Sequence, residues 1–127
     1  MRDLKTFIEK YAALLPVGTS ISFTEAERRA GEFLTAQATI TDFRHLLTTE
    51  RIKCLTVQTA VFAQQMAKGA GKTVTQDKLN AEASDEYIHA REDLENIEND
   101  LAYLKAYYDI FGNATVFYRQ MARGENV

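Results

Sequence analysis

The 127-residue chain has one proline, one cysteine, two histidines and no tryptophan, and each scarcity removes a class of explanation. A single cysteine, Cys54, forms no disulfide within the chain and has no Cys or His companion at metal-ligand spacing, so a reducing compartment such as the cytoplasm is expected. With Pro16 as the only proline, nothing after it interrupts a helix by removing a backbone donor. No window approaches the roughly 18 to 20 apolar residues that cross a bilayer, and Met1-Arg2-Asp3-Leu4 does not begin a secretory signal, so neither a membrane span nor export is expected.

What is present is ordinary for a folded protein: 46% apolar and 26% charged residues. The length suggests one domain, 1–127. The net charge of −3 is polarised. Residues 1 to 78 carry 11 Lys/Arg against 8 Asp/Glu, while residues 79 to 127 carry 4 against 10. That distribution permits a basic region to act locally within an acidic chain.

Leu4, Phe7, Ile8, Tyr11, Leu14 and Leu15 recur at helical spacing and predict a short helix over about 3–15, ended by Pro16 and Gly18. Thr24-Glu25-Ala26-Glu27 has the spacing of a capping box and predicts a second helix over about 24–68. Its seam runs through Phe33, Ala36, Ile40, Phe43, Leu47, Cys54, Val57 and Val61, flanked by Leu34, Leu46, Leu55, Phe62 and Met66. Gly69 to Thr75 predict a hairpin turn, with Thr75 as the N-cap of a third helix over about 76–122. That helix has a regular three-four pattern of Tyr87, Ala90, Leu94, Ile97, Leu101, Leu104, Tyr108 and Phe111, continued by Thr115, Tyr118 and Ala122, with a break expected at Gly112-Asn113.

The expected fold is therefore all-α: a long antiparallel helical hairpin, coiled-coil-like, with a short N-terminal helix. Helices of about 45 residues are roughly 65 to 70 Å long. Two such helices bury only one seam, so the flanking apolar residues require the first helix or further subunits as cover, and a homo-oligomer is expected.

Catalytic and metal signatures are weak. Gly71-Lys72-Thr73 resembles the end of a phosphate-binding loop, but Met66 stands where that motif needs glycine. Asp42-x-x-His45 and Glu86-x-x-His89 have di-iron ligand spacing, yet pairing about a turn near residue 72 sets Glu86 level with residue 58 and Asp42 level with residue 102, which keeps the two pairs apart. Asp85, Glu86, Glu92, Asp93, Glu95, Glu98 and Asp100 read as a solvated face. No enzyme, cofactor or metal is expected. Arg44, Arg51, Lys53, Lys68, Lys72 and Lys78 are the candidate contacts to a phosphodiester backbone, with Phe62 as an aromatic neighbour.

Lys72-Thr73-Val74-Thr75 leads into Asp85-Glu86-Tyr87 and a helix with Leu94, Glu98 and Leu101, and Asp109-Ile110-Phe111-Gly112-Asn113-Ala114 is followed by Arg119. Together with the long helix before a glycine-rich basic turn, these residues resemble the UvsY-like family of phage recombination mediators over about residues 40 to 123. The resemblance implies an oligomeric single-stranded DNA (ssDNA) binding protein in the host cytoplasm that helps a RecA-type recombinase displace single-strand-binding protein. The family's Lys-x-Arg pair before the turn falls on Val61 and Ala63, so its DNA contacts do not transfer, and the six basic residues above would have to supply them. The other reading of the same helices is a phage accessory or anti-defence protein that binds a host protein without nucleic acid.

Overall fold

The computed structural model describes residues 2–16, 20–69 and 73–124. Its element order is α1 (Arg2–Ala12), α2 (Phe23–Ala67), α3 (Val74–Glu82) and α4 (Asp85–Ala122), with no strand among the described residues. The fold is all-α and built on a helical hairpin of α2 and α4, as the heptad-like spacing predicted. No helix among the described residues is long and apolar enough to cross a membrane. The chain packs as two units. One draws on residues up to Arg44 and from Tyr103 onward, the other on His45–Ala102.

In the first unit, α1 and the facing ends of α2 and α4 enclose an aromatic core. Leu4 and Ile8 of α1, Phe33 and Ile40 of α2, and Leu104, Phe111 and Tyr118 of α4 are all buried. Phe33 meets Phe111 at 5.2 Å between ring centroids and stacks on Tyr118 at 5.9 Å, while Tyr11 of α1 contacts both Phe33 and Phe111. Tilted and offset pairs of this kind add about 0.5 to 1.5 kcal/mol each to their area burial. Phe7 of α1 also meets Phe43 at 5.9 Å, so α1 covers the flank that a bare helix pair would leave open.

A polar chain ties the ends of this unit together. The Tyr118 hydroxyl donates to the Leu14 carbonyl at 2.7 Å and accepts from Arg29 Nη1 at 3.1 Å. Arg29 Nε in turn donates to Glu25 at 3.0 Å. The Tyr118 contact, then Glu25, holds the Arg29 guanidinium above its ordinary pKa. Hydrogen bonds from Arg28 and Arg29 pull the Glu25 carboxyl down to about 2.

In the second unit the seam continues with Leu94 buried and Leu47, Val61, Ile97 and Leu101 half-buried. Arg51 pairs with Glu98, and the Gln58 amide donates to the Tyr87 hydroxyl at 3.2 Å, which defines antiparallel packing of α2 on α4 here. Tyr87 therefore lies level with residue 58, one residue beyond the expected register. Among the described residues, only Ala81, Ala90 and Leu94 of this unit are fully buried.

Several expectations need correction. Val57 is 53% exposed and lies off the intrachain seam, where Arg51, Gln58 and Gln65 turn inward alongside the expected Cys54 and Val61. A strict 3.5-residue repeat drifts by about 20° per heptad on a 3.6-residue helix, so after Leu47 alternate positions of the stripe lie one residue further on. The N-cap of α2 is Ser22, whose Oγ accepts from the Glu25 amide at 3.1 Å, not Thr24. Likewise Thr73, not Thr75, caps α3, accepting from the Gln76 amide at 3.1 Å. Gly69 in the left-handed region (φ 52°) donates to the Met66 carbonyl and ends α2 where the turn was expected. The Gly18 expected to help end α1, and Gly71 and Lys72 of the expected turn, lie outside the described residues.

The largest correction concerns where the last helix breaks. It runs without interruption through Gly112-Asn113 and is broken instead at Ala83-Ser84. Ser84 Oγ accepts from the Tyr87 amide at 3.2 Å and donates to the Ala81 carbonyl at 2.7 Å, closing α3 and opening α4 with one side chain. Asp85 and Glu86 in the first turn of α4 favour its positive end. Gly112 is a packing residue: a Cβ there would stand 2.8 Å from Nε2 of Gln37, whose amide donates to the Tyr108 carbonyl at 3.1 Å.

Two measurements check this description. Gly112→Ala gains about 0.5 to 1 kcal/mol of helix propensity but displaces the Gln37 amide, which forfeits a hydrogen bond of about 1 kcal/mol. Urea denaturation should show a near-neutral single variant and clear stabilisation by the same change in a Gln37→Ala background; equal effects in both backgrounds would refute the Gln37 contact. Glu25 stabilises the fold while ionised, because its carboxyl lies at about 2 in the folded chain against an ordinary 4.5. The advantage of wild type over Glu25→Gln in thermal melts should be constant above that ordinary value, shrink as pH falls below it, and vanish near pH 2.

Candidate nucleic-acid interface

The basic residues singled out from the sequence do not form one patch. Arg51 Nε lies 3.4 Å from Glu98, and Lys53 Nζ lies 3.2 Å from Glu50, so each presents a locally neutralised charge. Such exposed pairs are worth less than about 1 kcal/mol and open readily to a competing anion. Arg44 belongs to the first unit, half-buried, with its guanidinium 5.9 Å from the Tyr108 ring centroid. Lys72 lies outside the described residues.

Lys68 and Lys78 differ from these. Both are exposed, and neither has an ion-pair partner among the described residues. Lys68 follows the last turn of α2, where a cation complements the negative helix end. Lys78 lies on α3, and the Ser84 break brings it to a cleft of about 310 Å³ in the second unit.

That cleft is lined by Gln58, Thr59 and Phe62 of α2, Lys78 and Glu82 of α3, and Tyr87 of α4. Phe62 and Tyr87 are both half-buried, their rings 5.8 Å apart and tilted at 59°. The Gln58 amide holds the Tyr87 hydroxyl as acceptor and leaves the phenolic proton available. Gln58, Thr59, Glu82 and Tyr87 were not singled out as site residues by sequence reasoning. The available signal was the hairpin register, which sets residue 58 beside residues 86 and 87 and so next to Phe62.

The acidic run distributes around α4. Asp85, Glu86, Glu92, Asp93, Glu95 and Glu98 are exposed and Asp100 is half-buried. Asp93 lies 3.7 Å from His89, and Glu95 lies 3.7 Å from Arg91. Among the described residues no three His, Cys, Asp or Glu side chains gather as a metal site. Arg119, one of the residues of the family resemblance, lines an open groove of about 530 Å³ in the first unit with Glu27, Gly31 and Leu34.

The second unit also carries an unusual surface. From Cys54 to Ala67 the chain has no charged residue, although Leu55, Val57, Thr59, Ala60 and Ala63 are exposed. A helix without charge around its whole circumference is normally covered on more than one side. Comparison with known proteins supplies no relative to narrow these readings, since no family profile, no curated protein and no solved structure matches the chain.

Proposed function

We propose that the chain is a non-enzymatic ssDNA-binding protein that acts as a homo-oligomer and assists loading of a RecA-type recombinase onto strands held by single-strand-binding protein. The observation that carries the reading is the pair of unpartnered lysines, Lys68 and Lys78, in the unit whose cleft is lined by Phe62 and Tyr87. Binding of single strands without sequence readout needs such a combination: mobile point charges for phosphates and aromatic faces for bases. The recombinase and the single-strand-binding protein enter through the resemblance to phage mediators, and the place of action is then the host cytoplasm.

Self-association is supported by the uncharged stretch 54–67 and by the exposed Leu46, Leu55 and Val57. Apolar surface is worth about 25 cal/mol per Å² when removed from water, and the second unit buries little of its own. The same stretch also favours a second reading, in which this helix face occupies a host protein and no nucleic acid is bound.

Two experiments separate these. Titration of a labelled oligonucleotide at two salt concentrations should give binding that weakens steeply with salt. Each phosphate neutralised contributes about 0.7 to the slope of log affinity against log salt, so Lys68→Ala with Lys78→Ala should flatten it by about 1.4 per chain engaged. Absence of any ssDNA binding at low salt would remove the mediator reading and leave the protein-binding one. Light scattering on a sizing column should show an assembly larger than one chain, and Leu55→Glu with Val57→Glu should reduce it to monomer with helicity retained. A wild-type monomer at micromolar concentration would overturn the oligomer.

A further inference from the structure

We propose that the cleft between α2, α3 and α4 seats a single nucleobase of the bound strand and prefers bases bearing an exocyclic amino group over thymine. This rests on the ssDNA reading and adds to it a specific seat and a base preference that lysine contacts alone would not create.

The size of the cleft sets the first limit. At about 310 Å³ it is at the lower end of ligand-binding cavities, large enough for a nucleobase ring system and too small for an extended stretch of strand. The aromatic geometry sets the second. Because the Phe62 and Tyr87 rings meet at 59°, a base lying flat on one ring presents its edge to the other, satisfying both preferred arrangements of π systems at once.

The polar groups select what the base must offer. Threonines elsewhere on α2, such as Thr49 and Thr56, donate their hydroxyls to the carbonyl four residues back. Thr59, at the cleft, makes no side-chain hydrogen bond to another described residue, so its hydroxyl is open to a ligand. Lys78 and Glu82 stand four residues apart on α3, the spacing of a helical ion pair, yet form none. The cleft thus has a cation and an anion at its lining, each unpartnered by the other.

Glu82 is also the last residue of α3, where the helix end is negative and a carboxylate is poorly placed. A donor approaching it relieves that repulsion. The ligand that answers both charges carries a phosphate for Lys78 and an amino group for Glu82. Cytosine and adenine each offer an exocyclic amine at the rim of the ring, whereas the one base donor of thymine, N3–H, lies between two carbonyl oxygens that a carboxylate repels.

The test measures binding of the 127-residue chain to homopolymers of dC, dA and dT and to an abasic strand with the same number of phosphates. Wild type should bind dC and dA about tenfold more tightly than the abasic strand, with dT close to the abasic level. Glu82→Gln, whose carboxamide both donates and accepts, should raise dT toward dC. Phe62→Leu keeps an apolar side chain in the packing and should bring every base to the abasic level while leaving the salt slope and the circular dichroism spectrum unchanged. If wild type binds dC, dT and the abasic strand equally, or if both variants retain its dC-to-dT ratio, the base seat is overturned and the ssDNA reading survives. If no strand binds at all, the ssDNA reading itself falls.

Discussion

A long helix packed against one neighbour hides one stripe of its surface, and whatever apolar residues lie beside that stripe must be covered by something else. The two units of this chain meet that constraint differently. In the first, α1 supplies Leu4, Ile8, Phe7 and Tyr11 to the flank of the α2–α4 pair, and the core there is rich in buried aromatic rings. In the second, α3 contributes Ala81 as its buried residue, and the seam is thin. The difference follows from composition: α1 has large apolar residues at helical spacing, whereas α3, VTQDKLNAE, is mostly polar. An under-covered unit is costly unless its open surface is used, so it is physically reasonable that the candidate interface falls there.

The first unit is further braced by polar contacts with defined partners. Tyr118 is nearly inaccessible, and a buried phenol left unpaired would cost about 1 to 3 kcal/mol. It has two partners, the Leu14 carbonyl and Arg29, and Arg29 is oriented by Glu25. Glu25 also lies in the first turn of α2, where Ser22 caps the helix through the Glu25 amide. One residue therefore joins the helix start, the charged pair and the buried tyrosine. The buried hydroxyl of Thr115 is satisfied more simply, by the Phe111 carbonyl at 3.0 Å.

The helices and their pairing were legible in the sequence because hydrophobic periodicity is a long-range, redundant signal. Leu94, Leu104, Phe111, Thr115 and Tyr118 all fall on the inward face that their spacing marked out. Features carried by one or two side chains were harder to read. Thr24 matches the capping pattern as well as Ser22 does, and the choice between them depends on where the chain turns in three dimensions, whereas Thr73, with Gln76 three residues on, fits it better than Thr75, which is followed by Lys78. Gly112 has the composition of a break and the role of a spacer, a distinction that requires knowing that Gln37 lies opposite. Ser84-Asp85-Glu86 did carry a usable signal, an N-cap followed by an acidic first turn, which the unbroken heptads on its C-terminal side obscured.

The candidate site was less legible for a related reason. Sequence reading ranks basic residues by their presence, whereas the structure ranks them by what each already touches: Arg51 and Lys53 meet carboxylates, Arg44 lies over Tyr108, and Lys68 and Lys78 meet no acid among the described residues. An acidic chain with a pI near 5.4 repels a polyanion at long range, so any strand it holds must be held by short-range contacts. Stacking on an aromatic ring is such a contact, insensitive to salt and to net charge. On the proposed ssDNA reading, the aromatic lining of the cleft matters more than it would in a basic protein, and the α3–α4 break at Ser84 is what allows Lys78 and Glu82 to line the same cleft as Phe62 and Tyr87.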